Sequence, residues 1–91
     1  VNITKYRVKY QSRFKKHYRN MIRANRYSEA EFKAIETILT SGRRPDERYD
    51  DHVIKNRKPQ RALFIKGEWL LIYDYQGDQI RFLDTGRHGD I

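Results

Sequence analysis

The sequence predicts an α+β domain: a two-helix hairpin packed on a mostly antiparallel four-stranded sheet, in the order β-α-α-β-β-β. Three observations predict it. Polar and apolar residues alternate near the start, apolar residues then recur at helical spacing through two stretches, and three β-rich runs follow a polar loop. The chain carries no repeat, low-complexity tract or linker, so residues 1–91 are read as one domain.

The first strand is the segment "YRVKY". Tyr6, Val8 and Tyr10 fall on one face and Lys5, Arg7 and Lys9 on the other, the period of a half-buried edge strand. From about Ser12 the period changes. Phe14, Tyr18, Met21 and Ile22 follow i, i+4, i+7, i+8 spacing, one apolar stripe on a helix otherwise rich in Arg and Lys. A second helix starts at "SEAE", with Ser28 as N-cap and Glu31 completing a capping box. Phe32, Ile35, Ile38 and Leu39 form its buried stripe, and Gly42 ends it.

Residues 43–60 are polar and broken by Pro45 and Pro59, so they read as a long loop in which Arg48 pairs with neighbouring carboxylates. The three remaining strands are "RALFI", "WLLIYDY" and "QIRFLD". A tight Lys66-Gly67 turn joins the first two, Gln76-Gly77-Asp78 the next, and a Thr85-Gly86 turn closes the last. The apolar run 69–73 suits a central strand covered on both faces, with Trp69 in the core.

Charge is distributed unevenly. Residues 1–26 hold nine Lys or Arg and no carboxylate, while all twelve Asp and Glu lie from Glu29 onward. A one-signed third of a small domain implies a polyanionic partner: nucleic acid, a membrane surface or an acidic protein. With no cysteine, disulfide and thiolate chemistry are excluded, in keeping with a cytosolic setting. No apolar run approaches bilayer length, and no signal-peptide pattern opens the chain.

Of the three histidines, His17 lies in the basic helix and reads as a surface residue without a catalytic task. His52 in "YDDH" and His88 in "TGRH" each follow a turn-prone stretch and could reach one end of the sheet. Two imidazoles, each with an ordinary pKa of roughly 6.5, can share proton transfer at neutral pH. RNA cleavage by 2′-hydroxyl attack requires that pair of roles and a fixed cation, but no metal. Arg61, Arg81 and Arg87 are candidate cations, and Lys55 in "KNRKP" is a candidate phosphate contact. Asp50, Asp51 and His52 could ligate a metal, but no second ligand cluster accompanies them.

The segments "DDH", "RALFIKGEWLLIYDY" and "RFLDTGRH" resemble the YafQ-like branch of the RelE/ParE toxin superfamily, small bacterial ribonucleases of type II toxin–antitoxin systems. The likeness is closest over residues 46–91. It implies a cytoplasmic toxin that cleaves mRNA at the ribosome without metal or cofactor and is held inactive by a cognate antitoxin. Its partners would be that antitoxin, mRNA and ribosomal RNA, with no membrane involved. The resemblance makes His52, Glu68, His88 and Arg61 the catalytic set. Glu68 stands where the family usually has aspartate, and Phe64 where it usually has histidine, leaving Phe64 to stack on a base. In this reading His52 and Glu68 share base and orienting duties, His88 serves as general acid or proton partner, and Arg61 stabilises the phosphorane. Arg81 and Arg87 are secondary phosphate contacts, and Lys15, Lys16, Arg19 and Arg23 grip ribosomal RNA. Family members often carry a terminal aromatic where this chain has Ile91. The alternatives are a non-cleaving ribosome- or RNA-binding protein of the same fold, a ParE-like gyrase inhibitor, and a basic DNA-binding domain.

Overall fold

The computed structural model describes residues 4–25 and 27–89, so Ile91 lies outside the described residues. Its elements are β1 (Arg7–Tyr10), α1 (Ser12–Arg23), α2 (Glu29–Thr40), a 3-10 turn (Glu47–Tyr49), β2 (His52–Val53), β3 (Arg61–Lys66), β4 (Trp69–Gln76) and β5 (Gln79–Arg87). The strands form one sheet in the order β1-β5-β4-β3-β2. Only β1 pairs in parallel, against β5; every other pairing is antiparallel. The class and element order agree with the sequence prediction, and β1 lies at an edge as anticipated.

The sheet differs from that prediction in three places. A fifth strand, β2, forms inside the predicted loop, where His52 and Val53 pair with Ala62 and Arg61. Two residues are too few to give a period, so alternation could not reveal it. The second difference is the predicted Thr85-Gly86 turn, which is strand instead. β5 continues to Arg87, with Thr85 opposite Leu71, Gly86 opposite Leu70 and Arg87 opposite Trp69. Pairing with a buried central strand outweighs the local turn tendency of Thr-Gly. The β3–β4 turn is also displaced by one residue, to Gly67-Glu68. Gly67 has φ +56°, a conformation that glycine adopts without steric cost.

Both helices cover one face of the sheet. Phe14 of α1 and Phe32, Ile35 and Leu39 of α2 are buried against Leu63, Ile65, Trp69, Leu71, Ile80 and Phe82. Tyr18, Met21 and Ile22 complete the α1 stripe at its half-buried margin. The Phe14 and Phe32 rings lie 5.6 Å apart and join the two helices directly. Ser28 caps α2 by accepting the Ala30 N–H at 3.1 Å. Only half of the capping box forms, because Glu31 turns away to Lys66 of β3 at 3.2 Å. Among the described residues no helix is long and apolar enough to cross a membrane.

β4 is the middle strand, and Trp69–Asp74 are all buried. Its second face is covered by a small apolar cluster rather than a helical layer. Ala62, Leu70 and Ile72 are buried there beneath Ile54, Phe64 and Leu83.

Trp69 ties the two faces together. Its indole N–H donates to the Thr85 hydroxyl at 2.8 Å, and that hydroxyl donates to the Leu70 carbonyl at 2.7 Å. Asp84 accepts from the Thr85 N–H at 2.8 Å and from His17 Nδ1–H at 2.6 Å. His17 is therefore a half-buried tie between α1 and β5 rather than the idle surface residue the sequence suggested. Its partner lies 67 positions away, beyond the reach of local pattern. Trp69→Ala should lower stability by about 3–5 kcal/mol in urea denaturation. Thr85→Val should cost about 1–3 kcal/mol by leaving the buried indole N–H unpaired.

Candidate functional site

Strand alternation sorts the sequence-predicted site residues onto two faces. On β3, Leu63 and Ile65 point into the helix-covered core, whereas Ala62 and Phe64 face the open side. His52 is the register partner of Ala62 and shares its face. Phe64 lies two residues further along β3, and its ring meets the His88 ring at a centroid distance of 5.8 Å. The open face thus carries His52, Phe64 and His88, with Phe64 between the two histidines in register.

His88 is held by the sheet. Its backbone N–H donates to the Glu68 carbonyl at 2.8 Å, extending the β4–β5 ladder one step beyond Arg87. The Glu68 carboxylate reaches Arg87 at 3.4 Å across an exposed pair. Glu68 therefore belongs to the His88 end of the face. It lies in the turn at the opposite end of β3 from Ala62, apart from the His52 with which the sequence grouped it. His52 is exposed, and its Nδ1–H donates to the Asp50 carbonyl at 2.6 Å. A carbonyl oxygen only accepts, so this bond fixes the proton on Nδ1 and leaves Nε2 as an acceptor.

Two predicted phosphate contacts are committed elsewhere. Arg61 lies on the helix-covered side, where its guanidinium meets Asp51 at 2.9 Å through Nη2 and 3.4 Å through Nε. The Tyr73 hydroxyl donates to the same carboxylate. Asp51 raises the Arg61 pKa above its ordinary value against the opposing effect of burial. Arg81 forms a two-pronged pair with the buried Asp74 carboxylate, with Nε at 2.8 Å, and its pKa is likewise raised by that bond. The sequence showed both arginines but not their buried partners, so it took them for available cations. Arg48 also departs from expectation. Its guanidinium donates to the Tyr49 hydroxyl at 2.9 Å and lies over that ring, and it is its backbone N–H that meets the Asp46 carboxylate, at 3.0 Å.

The remaining cations are exposed. Arg87 holds only the surface pair with Glu68, which costs little to exchange for a phosphate. Lys55 lies in the β2–β3 connection, a loop closed by the Ile54 N–H to Gln60 carbonyl bond at 2.9 Å. Lys15, Arg19 and Arg23 recur every fourth residue along α1 and rim a groove of about 660 Å³ between the helices. The groove floor is formed by Phe14, Tyr18, Ile22 and Phe32, and Lys16 points away from it on another side of α1. Among the described residues no three His, Asp or Glu side chains gather as a metal-ligand group.

Residues 6–91 match the family described as the bacterial toxin of type II toxin–antitoxin systems, YafQ. The fold is similar to that of a copper-bound mutant toxin from Helicobacter pylori, at 22% identity over 94% of this chain and 98% of that one, with a TM-score of 0.88. It is also similar to a chain of the E. coli DinJ–YafQ complex, at 23% identity over 94% and 97% of the two chains, with a TM-score of 0.82. YafQ from E. coli strain BL21(DE3) gives 23% identity, 93% and 96% coverage, and a TM-score of 0.82. At these identities the structural likeness establishes the fold alone. No curated protein matches the chain.

The two arginines of β5 should behave in opposite ways. Arg81→Ala should lower stability by about 3 kcal/mol in urea denaturation, because it strands the buried Asp74 carboxylate. Arg87→Ala should change stability by less than about 0.5 kcal/mol.

Proposed function

The chain belongs to the YafQ family of bacterial toxins of type II toxin–antitoxin systems, and from that membership we propose that it is an endoribonuclease cutting mRNA at the ribosome. The observation that carries this reading is the pair of imidazoles on one open sheet face, His52 with its Nδ1 bonded to the Asp50 carbonyl and His88 fixed beside Phe64.

The chemistry follows from those groups. RNA lies across the open face with one base stacked on Phe64. His52 Nε2 takes the proton of the ribose 2′-hydroxyl, and the 2′-oxygen bonds to the adjacent phosphorus. The bond from phosphorus to the 5′-oxygen breaks, and His88 gives a proton to that leaving oxygen. The products are a 2′,3′-cyclic phosphate and a 5′-hydroxyl. Arg87, whose register partner is Trp69, reaches round the end of the sheet from Glu68 to the phosphate and offsets the charge that builds there. Glu68 orients the His88 end, and Arg61 acts from the opposite face through Asp51 rather than on phosphate. No step calls on a metal, because acid, base and cation all come from side chains.

Lys15, Lys16, Arg19 and Arg23 hold ribosomal RNA, with Lys55 and the other exposed cations adding non-specific phosphate contacts. Their positive charge also suits a cognate antitoxin carrying an acidic segment; a toxin–antitoxin complex is the form in which E. coli YafQ is found with DinJ.

In a translating extract, His52→Ala and His88→Ala should each reduce mRNA cleavage by at least about a hundredfold. Unchanged cleavage by either variant would remove that histidine from the mechanism. A second reading, a non-cleaving RNA-binding toxin, is favoured by Phe64, which cannot transfer a proton. Translation blocked by the wild-type chain with mRNA left intact would select it. Neutralising Lys15, Arg19 and Arg23 together should weaken ribosome binding and flatten its log–log salt dependence by roughly two units.

A further inference from the structure

We propose that Asp51 is a positioning residue for His52: clamped by Arg61 and Tyr73 on one side of the sheet, it aims the neighbouring imidazole to the other side with Nε2 exposed. The role assigned to His52 rests on the endoribonuclease reading; the geometry of the clamp does not.

β2 cannot hold His52 by itself. It is two residues long, with only the His52–Ala62 and Val53–Arg61 pairs joining it to β3. A strand of that length at a sheet edge frays unless something else anchors it. Asp51, immediately before it, supplies the anchor. Its side chain is 11% exposed, accepts from Arg61 through two nitrogens and also accepts from the Tyr73 hydroxyl. Tyr73 is in the core and opposite Arg61 in register, so both donors are mounted on rigid paired strands. Burial and the adjacent Asp51 carboxylate push the Tyr73 pKa well above its ordinary value, which keeps the phenol a donor. Charge-assisted bonds of this kind are stronger than neutral ones.

The consequence for His52 follows from chain geometry. Successive residues of a strand face opposite sides. Asp51 lies one residue before β2, and its carboxylate, fixed on the helix-covered side, holds His52 in the register with Ala62 that faces the open side. Asp50 completes the device. Its φ of +50° puts it in the left-handed region, and its carbonyl receives His52 Nδ1–H at 2.6 Å. A non-glycine residue in that region is costly and persists only where its surroundings enforce it. The three-residue run Asp50-Asp51-His52 thus anchors the loop, sets the ring direction and selects the tautomer.

The test is ¹⁵N–¹H NMR of the imidazole nitrogens in the full chain, run beside an mRNA cleavage assay. In the wild type, neutral His52 should carry its proton on Nδ1. Tyr73→Phe removes one oxygen, and Asp51→Asn keeps the shape but loses the charge. Both should move His52 toward the Nε2–H form that free imidazole side chains favour, leave the His17 and His88 signals in place, and lower kcat for cleavage by about a hundredfold with little change in KM. A wild-type His52 protonated on Nε2, or wild-type His52 signals in a folded variant of either kind, would overturn the proposal. Should Asp51→Asn not fold, the wild-type tautomer and Tyr73→Phe still decide. If the His52 signals shift as expected but the wild type cuts no RNA, the clamp stands and the endoribonuclease reading falls.

Discussion

The His88 end of the candidate site depends on β5 remaining paired to β4 through Arg87. β4 is the buried centre of the sheet, and Trp69 at its start draws in the Thr85 hydroxyl, which in turn donates to the Leu70 carbonyl. Those bonds hold a Thr-Gly dipeptide extended where its local preference is to turn. Were it to turn, His88 would leave the sheet with it. Because the pairing persists, the His88 N–H reaches Glu68 and its ring lies against Phe64. A histidine three residues from the last residue of the sequence is thereby fixed by the same network that buries the largest core side chain.

The division of labour among charged residues follows the carboxylates that the fold brings within reach, on whichever face of the sheet they lie. Arg61 and Arg81 are tied to Asp51 and Asp74, carboxylates that burial would otherwise penalise heavily. Arg87, Lys55 and the α1 cations stand at the surface, where exchanging water or a weak pair for phosphate costs little. Cations of one formal charge therefore do different things. Which of them meets a ligand is decided by whether a carboxylate lies within reach in the fold.

This explains what could and could not be seen in the sequence. The helices were legible because Phe14, Tyr18, Phe32, Ile35 and Leu39 repeat at the helical period. The strands β1, β3 and β4 were legible because their alternation or apolar run is long enough to read. His52 and His88 stood out through the company of the "DDH" and "TGRH" segments. The pairings Arg61–Asp51, Arg81–Asp74 and His17–Asp84 join residues 10, 7 and 67 positions apart, and no local period encodes them. The signal that could have exposed the first is modest: an aspartate beside a candidate histidine needs its own partner. Arg61 read as a cation available to phosphate for that reason, since its charge was visible and its pairing with Asp51 was not.

The proposed activity requires that two imidazoles on one sheet face transfer the protons of 2′-hydroxyl attack. The measurement that tests it most directly is the chemistry of the ends left on mRNA when the purified protein acts in a translating extract. The account predicts a 2′,3′-cyclic phosphate on the upstream fragment and a 5′-hydroxyl on the downstream one. A 3′-hydroxyl with a 5′-phosphate, or mRNA left whole while translation stops, would contradict it.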